Sequence, residues 1–547
     1  MKSVLLSPLL LAGSTLAALN RAPGPPKPLP PKRVDERFST GSLKKRDNTT
    51  TVGQGTFEQL LDHNDPSKGT FSQRFWWSSE YWTGPGAPVV FFTPGEIEAD
   101  EYTGYLTNET ITGVFAQELG GAVVMMEHRY WGESSPYTWL TTENFTYLTL
   151  EQAIKDTTYL ANNIDLPFDP TGSSLASNAP WVMAGGSYSG ALTGWVEAVD
   201  PGTYWAYYAT SAVVETIWDF YQYFKPVQAG MPANCSADVQ SVIAYVDSVL
   251  TSNDTAAIQS LKAKFALEDL EHNDDFAAVL EYGPWEWQEI QFYSGYSPFY
   301  LFCDSVENVG YYFPDSTTVP GAEGVGLEKA LDGYAAFIKN YIVDGACASY
   351  GYDVWTDEWD VGCFDTYNAS SPFFTDRSVD NIYNLQWNWF LCNQPFAYWQ
   401  DGAPGNVSTI VSRLVSGEYW QRQCSLLFPP PGTFDPDNKT VADTNAYTGG
   451  WDTAGNTTRL IWTNGQYDPW KDSTVSSDYK PGGPFQGTAT APIQVIPSGI
   501  HCSDMLIDNG LVNAGVQEVI DNEVAQIVTW VDEYYTEKKK PRVVRRH

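Results

Sequence analysis

A mostly parallel α/β sheet, interrupted by a helical, disulfide-bearing insertion, is the fold this sequence predicts. Three observations carry it. Continuous apolar runs occur at 88–93, 121–126 and 181–184, with a helix-like stretch from Leu150 to Ile164 among them. Strands buried on both faces and joined by helices read this way. The third run, Trp181-Val182-Met183-Ala184, passes through Gly185-Gly186-Ser187-Tyr188-Ser189-Gly190 into the helix-like Ala191 to Val196. That is a strand, a tight glycine turn and a helix, with a serine at the apex. From about 215 to 448 the pattern changes to helical periods and turns, and apolar strands return at 459–462 and 493–496.

In chain order, Met1-Lys2, the apolar run to Leu11 and the small residues around Ala17 and Ala18 read as a secretory signal over 1–18. The run is too short to span a bilayer, and no later segment has the ~20 apolar residues a span needs. Residues 19–46, rich in proline and basic side chains and ending in Lys44-Lys45-Arg46, read as a pro-segment with a basic processing site. The sheet is then assigned to 47–214 and 449–536, the cap-like insertion to 215–448, and a basic tail to 537–547. Within the insertion, Leu327, Leu331, Tyr334, Ile338 and Tyr341 make one apolar helix face. Ile520, Val524, Ile527 and Val531 do the same for a last helix.

Residues 1–46 hold nine basic and two acidic side chains and the tail six and one, so 47–536 carries 16 basic and 63 acidic, a net of −47. Such a charge excludes nucleic acid as a partner and suits a protein that works in acid. Six of the seven cysteines lie between Cys235 and Cys424, room for up to three bridges; Cys502, isolated from the rest, is the expected free thiol. No cysteine or histidine spacing suggests a metal site, and no cofactor is expected. Nine sequons, at Asn48, Asn108, Asn144, Asn234, Asn253, Asn368, Asn406, Asn438 and Asn456, argue for a glycosylated, secreted product. An acidic, lysosome-like compartment is the alternative location.

A serine on such a turn is a weak nucleophile until a base and an acid join it, in the chain order Ser, Asp or Glu, His. Of five histidines, His547 is in the tail, His63 and His128 precede the serine, and His272 lies in a polar stretch. His501 follows the strand at 493–496, where functional loops of open α/β sheets gather. Asp468 follows the strand at 459–462 and is the candidate acid, with Asp472 as the near alternative. The oxyanion hole is expected from the N–H of Tyr188 and an N–H of the loop Pro94-Gly95-Glu96, with Gly95 the candidate. Glu96 is either a solvated loop acid or a carboxylate that binds a substrate amine or tunes His501.

The serine turn, Glu127-His128-Arg129-Tyr130-Trp131-Gly132-Glu133-Ser134, Asn464-Gly465-Gln466-Tyr467-Asp468-Pro469-Trp470 and Gly499-Ile500-His501 together resemble the serine peptidase family of lysosomal Pro-X carboxypeptidase and dipeptidyl peptidase II. The chain looks most similar to the secreted acid prolyl endopeptidases of filamentous fungi, over roughly 55–535. The resemblance implies an α/β-hydrolase fold with a helical cap, cleavage after proline and acid-shifted activity. It makes Ser187, Asp468 and His501 the triad and lets Trp470 line a proline pocket. One departure is Ser189, where the family commonly has glycine. Proline's compact ring, lacking an N–H, suits a pocket walled by aromatic faces.

Two questions follow. With a histidine pKa of ~6.5, about 1% of the base is neutral near pH 4.5, so acid operation requires burial to lower His501, and burial is expected to win there. An endopeptidase needs a groove open at both ends, whereas a post-proline exopeptidase needs one end closed and a charge partner for a terminus. The fungal likeness favours endo action. An esterase or lipase fits less well with so polar a cap, and a non-catalytic binding protein would have lost a triad member.

Overall fold

The computed structural model describes residues 24–39, 51–316, 318–430 and 439–538. The signal peptide, Lys44-Lys45-Arg46 and nearly all of the basic tail lie outside the described residues. Eight strands form one sheet in the order β1-β2-β4-β3-β5-β6-β9-β10. They are β1 (Val52–Leu60), β2 (Thr70–Ser78), β3 (Val89–Phe92), β4 (Ala122–Met126), β5 (Trp181–Gly186), β6 (Ala206–Thr210), β9 (Leu460–Gly465) and β10 (Ile493–Ile496). β1 and β2 form an antiparallel hairpin docked antiparallel on β4, and every pairing from β4 to β10 is parallel. This is the α/β-hydrolase fold. Two short strands, β7 (Ile217–Asp219) and β8 (Ala397–Trp399), pair with each other outside it.

The apolar runs are explained by two cores. Along β3, Val89 and Phe91 face one core and Val90 and Phe92 the other, as the two-residue period of a strand requires. The second core holds Phe115 of helix α1 (Ile111–Leu119) and Val516, Ile520 and Ile527 of the last helix, α4 (Ala514–Glu537). The first holds Leu192 and Trp195 of α3 (Tyr188–Val199) and Ala153 and Leu160 of α2 (Leu150–Asn163). It continues into the insertion through Cys235, Trp285 and Phe390.

The chain leaves the sheet after β6 and returns at β9. The intervening stretch is mostly helical, including Ala233–Leu250, Pro298–Val306, Leu327–Phe337 and Leu385–Asn393. The apolar face read at 327–341 continues past Phe337 into a wider π-helical turn, Ile338–Val343. All three disulfides lie here, Cys235–Cys303, Cys347–Cys363 and Cys392–Cys424, and Cys502 is free and buried. Among the described residues no helix is long and apolar enough to cross a membrane.

Many carboxylic acids are buried in this body. Burial pushes Asp401 up to about 8 and Asp275 and Asp472 up to about 6, and it holds Glu281 well above the ordinary carboxyl range. Their raised folded-state values mean that the stability they contribute is present in acid. It is lost as pH rises from the ordinary carboxyl range of about 4 through 6 to 8. The melting temperature is therefore expected to be on the order of 10 °C higher at pH 5 than at pH 8. Scanning calorimetry at the two pH values checks it; an equal or higher value at pH 8 would contradict the reading.

Candidate active site

β5 ends at Gly186, and α3 begins at Tyr188. Between them Ser187 adopts φ 63 and ψ −126, a conformation that L side chains rarely accept. The flanking glycines are there for space. A Cβ on Gly185 would lie 2.1 Å from Ser189 O, and one on Gly186 would lie 2.3 Å from Met505 Sδ. The Ser189 hydroxyl is tied to this turn, donating to Gly186 O at 2.8 Å and accepting from Gly186 N–H at 3.0 Å. Ser187 Oγ instead lies 2.7 Å from His501 Nε2.

The loops after β10 and β9 deliver His501 and Asp468. His501 Nδ1 is 2.9 Å from Asp468 Oδ1, which also accepts the N–H of Trp470 at 2.9 Å. With the proton on Nδ1, Nε2 is free to accept from the serine. All three side chains are buried. Asp472 turns away, accepting from Asp478 N–H at 3.1 Å and Ser477 Oγ at 3.3 Å.

The charge balance at His501 differs from the sequence expectation. Burial pulls the imidazole down, but the Asp468 carboxylate on Nδ1 and the neighbouring Cys502 together outweigh it and hold His501 well above its ordinary 6.5. A base must be neutral to accept a proton, so kcat/KM is expected to fall as pH drops through a value above 6.5. A pH–rate profile of the free enzyme checks this, and a limb near pH 4 would contradict it.

The Glu127–Ser134 motif holds the site from behind. Glu127 receives Arg74, Ser134 Oγ and the N–H of Ala99. His128 Nε2 is 3.1 Å from Tyr188 Oη, and burial lowers this imidazole to about 4, so it stays neutral. Arg129 makes two 2.6 Å bonds to Asp156, which also meets His63 Nε2 at 2.8 Å. Trp131 Nε1 donates to Asn384 Oδ1, and Asn384 Nδ2 donates to Glu96 O. Asn384 thereby ties the insertion to the loop beside the serine.

The predicted oxyanion donors behave differently. The N–H of Tyr188 donates, at 2.9 Å, to the carbonyl oxygen of Pro28. Gly95 packs against the Tyr188 ring, where a Cβ would come within 2.9 Å of Cδ1, and its φ is +93. Its N–H, expected as the second donor, reaches Thr93 Oγ1 at 3.3 Å instead. Glu96 is fully buried with neither carboxyl oxygen hydrogen-bonded, so it is no solvated loop acid. Burial holds its carboxyl well above the ordinary range, with its own backbone N–H, Lys27 and His501 pulling the other way. Trp470 is buried, donates to Gln288 Oε1 at 2.7 Å and packs on Phe220, Tyr223 and Tyr398. With Trp387 and Tyr398 it lines a small cavity bordered by Pro25, Pro26 and Lys27.

Sequence reasoning missed the partners that the insertion supplies, Gln288 and Asn384, and the path of residues 24–33 through the cleft. The only signal for that path was proline at alternate positions, 26, 28 and 30.

A family model described as "Serine carboxypeptidase S28" matches residues 59–295 and 354–510. The serine protease vicPa of Bipolaris victoriae (strain FI3) is 40% identical over 500 residues, covering 91% of this chain and 92% of that protein. A probable extracellular serine carboxypeptidase of Arthroderma benhamiae is 28% identical, covering 81% of this chain and 60% of its own length. The lysosomal Pro-X carboxypeptidase of Pongo abelii is 31% identical over 30% of this chain and 32% of its own. With the serine turn, the fold and matches of this extent in hand, the chain belongs to the S28 family of serine peptidases.

Proposed function

We propose that this protein is a secreted endopeptidase that cleaves on the C-terminal side of proline, with Ser187 as nucleophile, His501 as base and Asp468 as the acid that orients it. The observation that carries the reading is Pro28. Its ring is buried in the cleft and its carbonyl accepts from the N–H of Tyr188, the donor expected to face a reacting carbonyl. The backbone runs on to both sides of that point. Lys27 O accepts from Gln288 of the insertion, and Pro30 O and Pro31 O accept from Tyr102 and Tyr105 of the sheet domain. A groove that admits chain on both sides favours internal cleavage.

In this reading Ser187 Oγ attacks the carbonyl carbon after proline, and its proton passes to His501 Nε2. The oxyanion is held by Tyr188 N–H. Gly95 joins as second donor once its long bond to Thr93 is exchanged for the oxyanion. The C–N bond then breaks as His501 returns the proton to the leaving amine, and water repeats the sequence to free the acid. Glu96, buried and unpartnered, is assigned to a substrate cation beside the scissile proline. Trp470, Tyr398 and Trp387 are assigned to the wall of the proline site.

The fungal acid prolyl endopeptidases remain the best analogy for specificity. Acid-shifted activity is not carried over, because the charge on His501 opposes it. Secretion rests on the signal segment 1–18 and on a relative named as extracellular. Asn108, Asn253, Asn368, Asn406 and Asn456 are exposed, which suits N-glycosylation. A pro-segment at 19–46 and a cap at 215–448 complete the proposed organisation.

Carboxypeptidase action is the second reading, because the matching family is so described. Prolonged incubation with excess proline-containing peptide blocked at both ends, at pH 4 and pH 7, separates the two, with Ser187→Ala as control. Cleavage after proline by the wild type alone is expected. Cleavage only once a terminus is freed would sink the endo reading, and hydrolysis of acyl esters but of no peptide would point to an esterase.

A further inference from the structure

Residues 24–38 lie in the cleft as a bound peptide would. Burial alternates along them: Pro26, Pro28 and Pro30 are buried, while Pro25, Lys27, Leu29 and Pro31 are half-exposed. Contacts with the rest of the protein run along most of the segment. Gly24 N–H donates to Tyr282 Oη at 2.9 Å, and Gln288 Nε2 donates to Lys27 O at 2.8 Å. The N–H of Tyr188 takes Pro28 O. Tyr102 Oη and Tyr105 Oη donate to Pro30 O and Pro31 O at 3.2 and 2.8 Å. Gly104 N–H donates to Arg33 O at 2.7 Å, and Asp35 N–H donates to Thr103 Oγ1 at 2.9 Å.

Charge reinforces the seating. Lys32 pairs with Glu101, and Arg33 pairs with Glu109 at 2.8 Å and Asp508 at 3.2 Å. The segment is basic and the body is strongly acidic. Lys27 sits within electrostatic reach of the unpartnered Glu96. Gly104 is needed for this fit, because a Cβ there would lie 2.4 Å from Arg33 Cγ. The segment also bends at its centre: Leu29 N–H donates back to Lys27 O at 2.9 Å. The amide that would be the leaving group is thus turned onto its own chain.

We infer that residues 24–38 are a built-in inhibitor of this peptidase, with Pro28 held in the position of the substrate proline so that no external peptide reaches Ser187 until the segment leaves. The inference rests on Ser187 being the nucleophile, as in the preceding reading. The inhibition is competitive and intramolecular. A tethered peptide acts at an effective concentration of about millimolar, so a weak contact set suffices to close the site.

The test uses a fluorophosphonate, which reacts with an activated serine whatever peptide the enzyme prefers. The labelling rate is measured on the full chain, on Pro28→Asp and on the double variant Lys32→Ala/Arg33→Ala. The first change drives a charge into the buried ring's place, and the second removes surface anchors without touching the core. Both variants are expected to label at Ser187 at least tenfold faster than the full chain. A synthetic peptide of residues 24–33, added at millimolar concentration, is expected to restore the slow rate. Should Pro28→Asp fail to fold, the surface variant decides. Equal rates in the full chain and the folded variants overturn the inference, as do variants that stay unreactive or a peptide that leaves them fast. Variants that label rapidly, yet do not cut after proline, would leave this inference standing and fail the proposed specificity.

Discussion

Ser187→Ala is expected to lower kcat/KM on a proline-containing peptide by about five orders of magnitude. The Ser187 hydroxyl lies within 2.7 Å of His501 Nε2. The one nearby alternative, Ser189, spends both its donor and an acceptor on the backbone of Gly186. The methyl group keeps the turn and the buried volume, so the folded protein should lose no more than about 1 kcal/mol of stability. Steady-state kinetics with calorimetry on the same sample read both quantities. Residual activity above about one per cent would move the nucleophile elsewhere, with Ser189 the first candidate.

Asp468→Asn is expected to cost about four orders of magnitude in kcat, for a reason that pH exposes. With the carboxylate accepting from Nδ1, the proton is held there and Nε2 is left to serve as the proposed base. An amide can donate instead, favouring the tautomer with Nε2 protonated and unable to accept. Besides Cys502, the same carboxylate raises His501 above its ordinary 6.5, and it is the larger of the two influences. Its loss removes the raising charge while burial remains, so the low-pH limb of the residual activity should move toward acid. A rate loss without that movement would mean that Asp468 acts on packing alone.

How much of this could be read from residue order depends on where each signal resides. The strands at 89–92, 122–126 and 181–186 were legible because burial on both faces leaves no polar alternation. The meeting of Ser187, Asp468 and His501 was legible because all three sit at strand ends, in the chain order expected of a proposed triad, and only five histidines compete for one place. β1 and β2 were not, since β1 mixes Gly53, Gly55, Gln54 and Glu58 with its apolar residues. The height of the His501 pKa was not legible either. Sequence gives the body's net charge, but the sign at one imidazole is set by its nearest neighbours, the Asp468 carboxylate 2.9 Å away and Cys502, against burial. Gln288 and Asn384 escaped because their meaning depends on contacts with residues more than 180 positions distant.

β6 and β9 are parallel neighbours, with Tyr207 opposite Leu460 and Thr210 opposite Thr463, so the chain leaves at one end of the strands and re-enters the sheet at the other. Its three disulfides each join two points within it. The residues of the proposed site thus stand on loops after sheet strands, while the insertion that walls the cleft is an enlarged crossover between two adjacent parallel strands. Length can be added to a crossover of this kind without breaking any strand pairing of the sheet, which leaves the wall of the cleft freer to change than its floor.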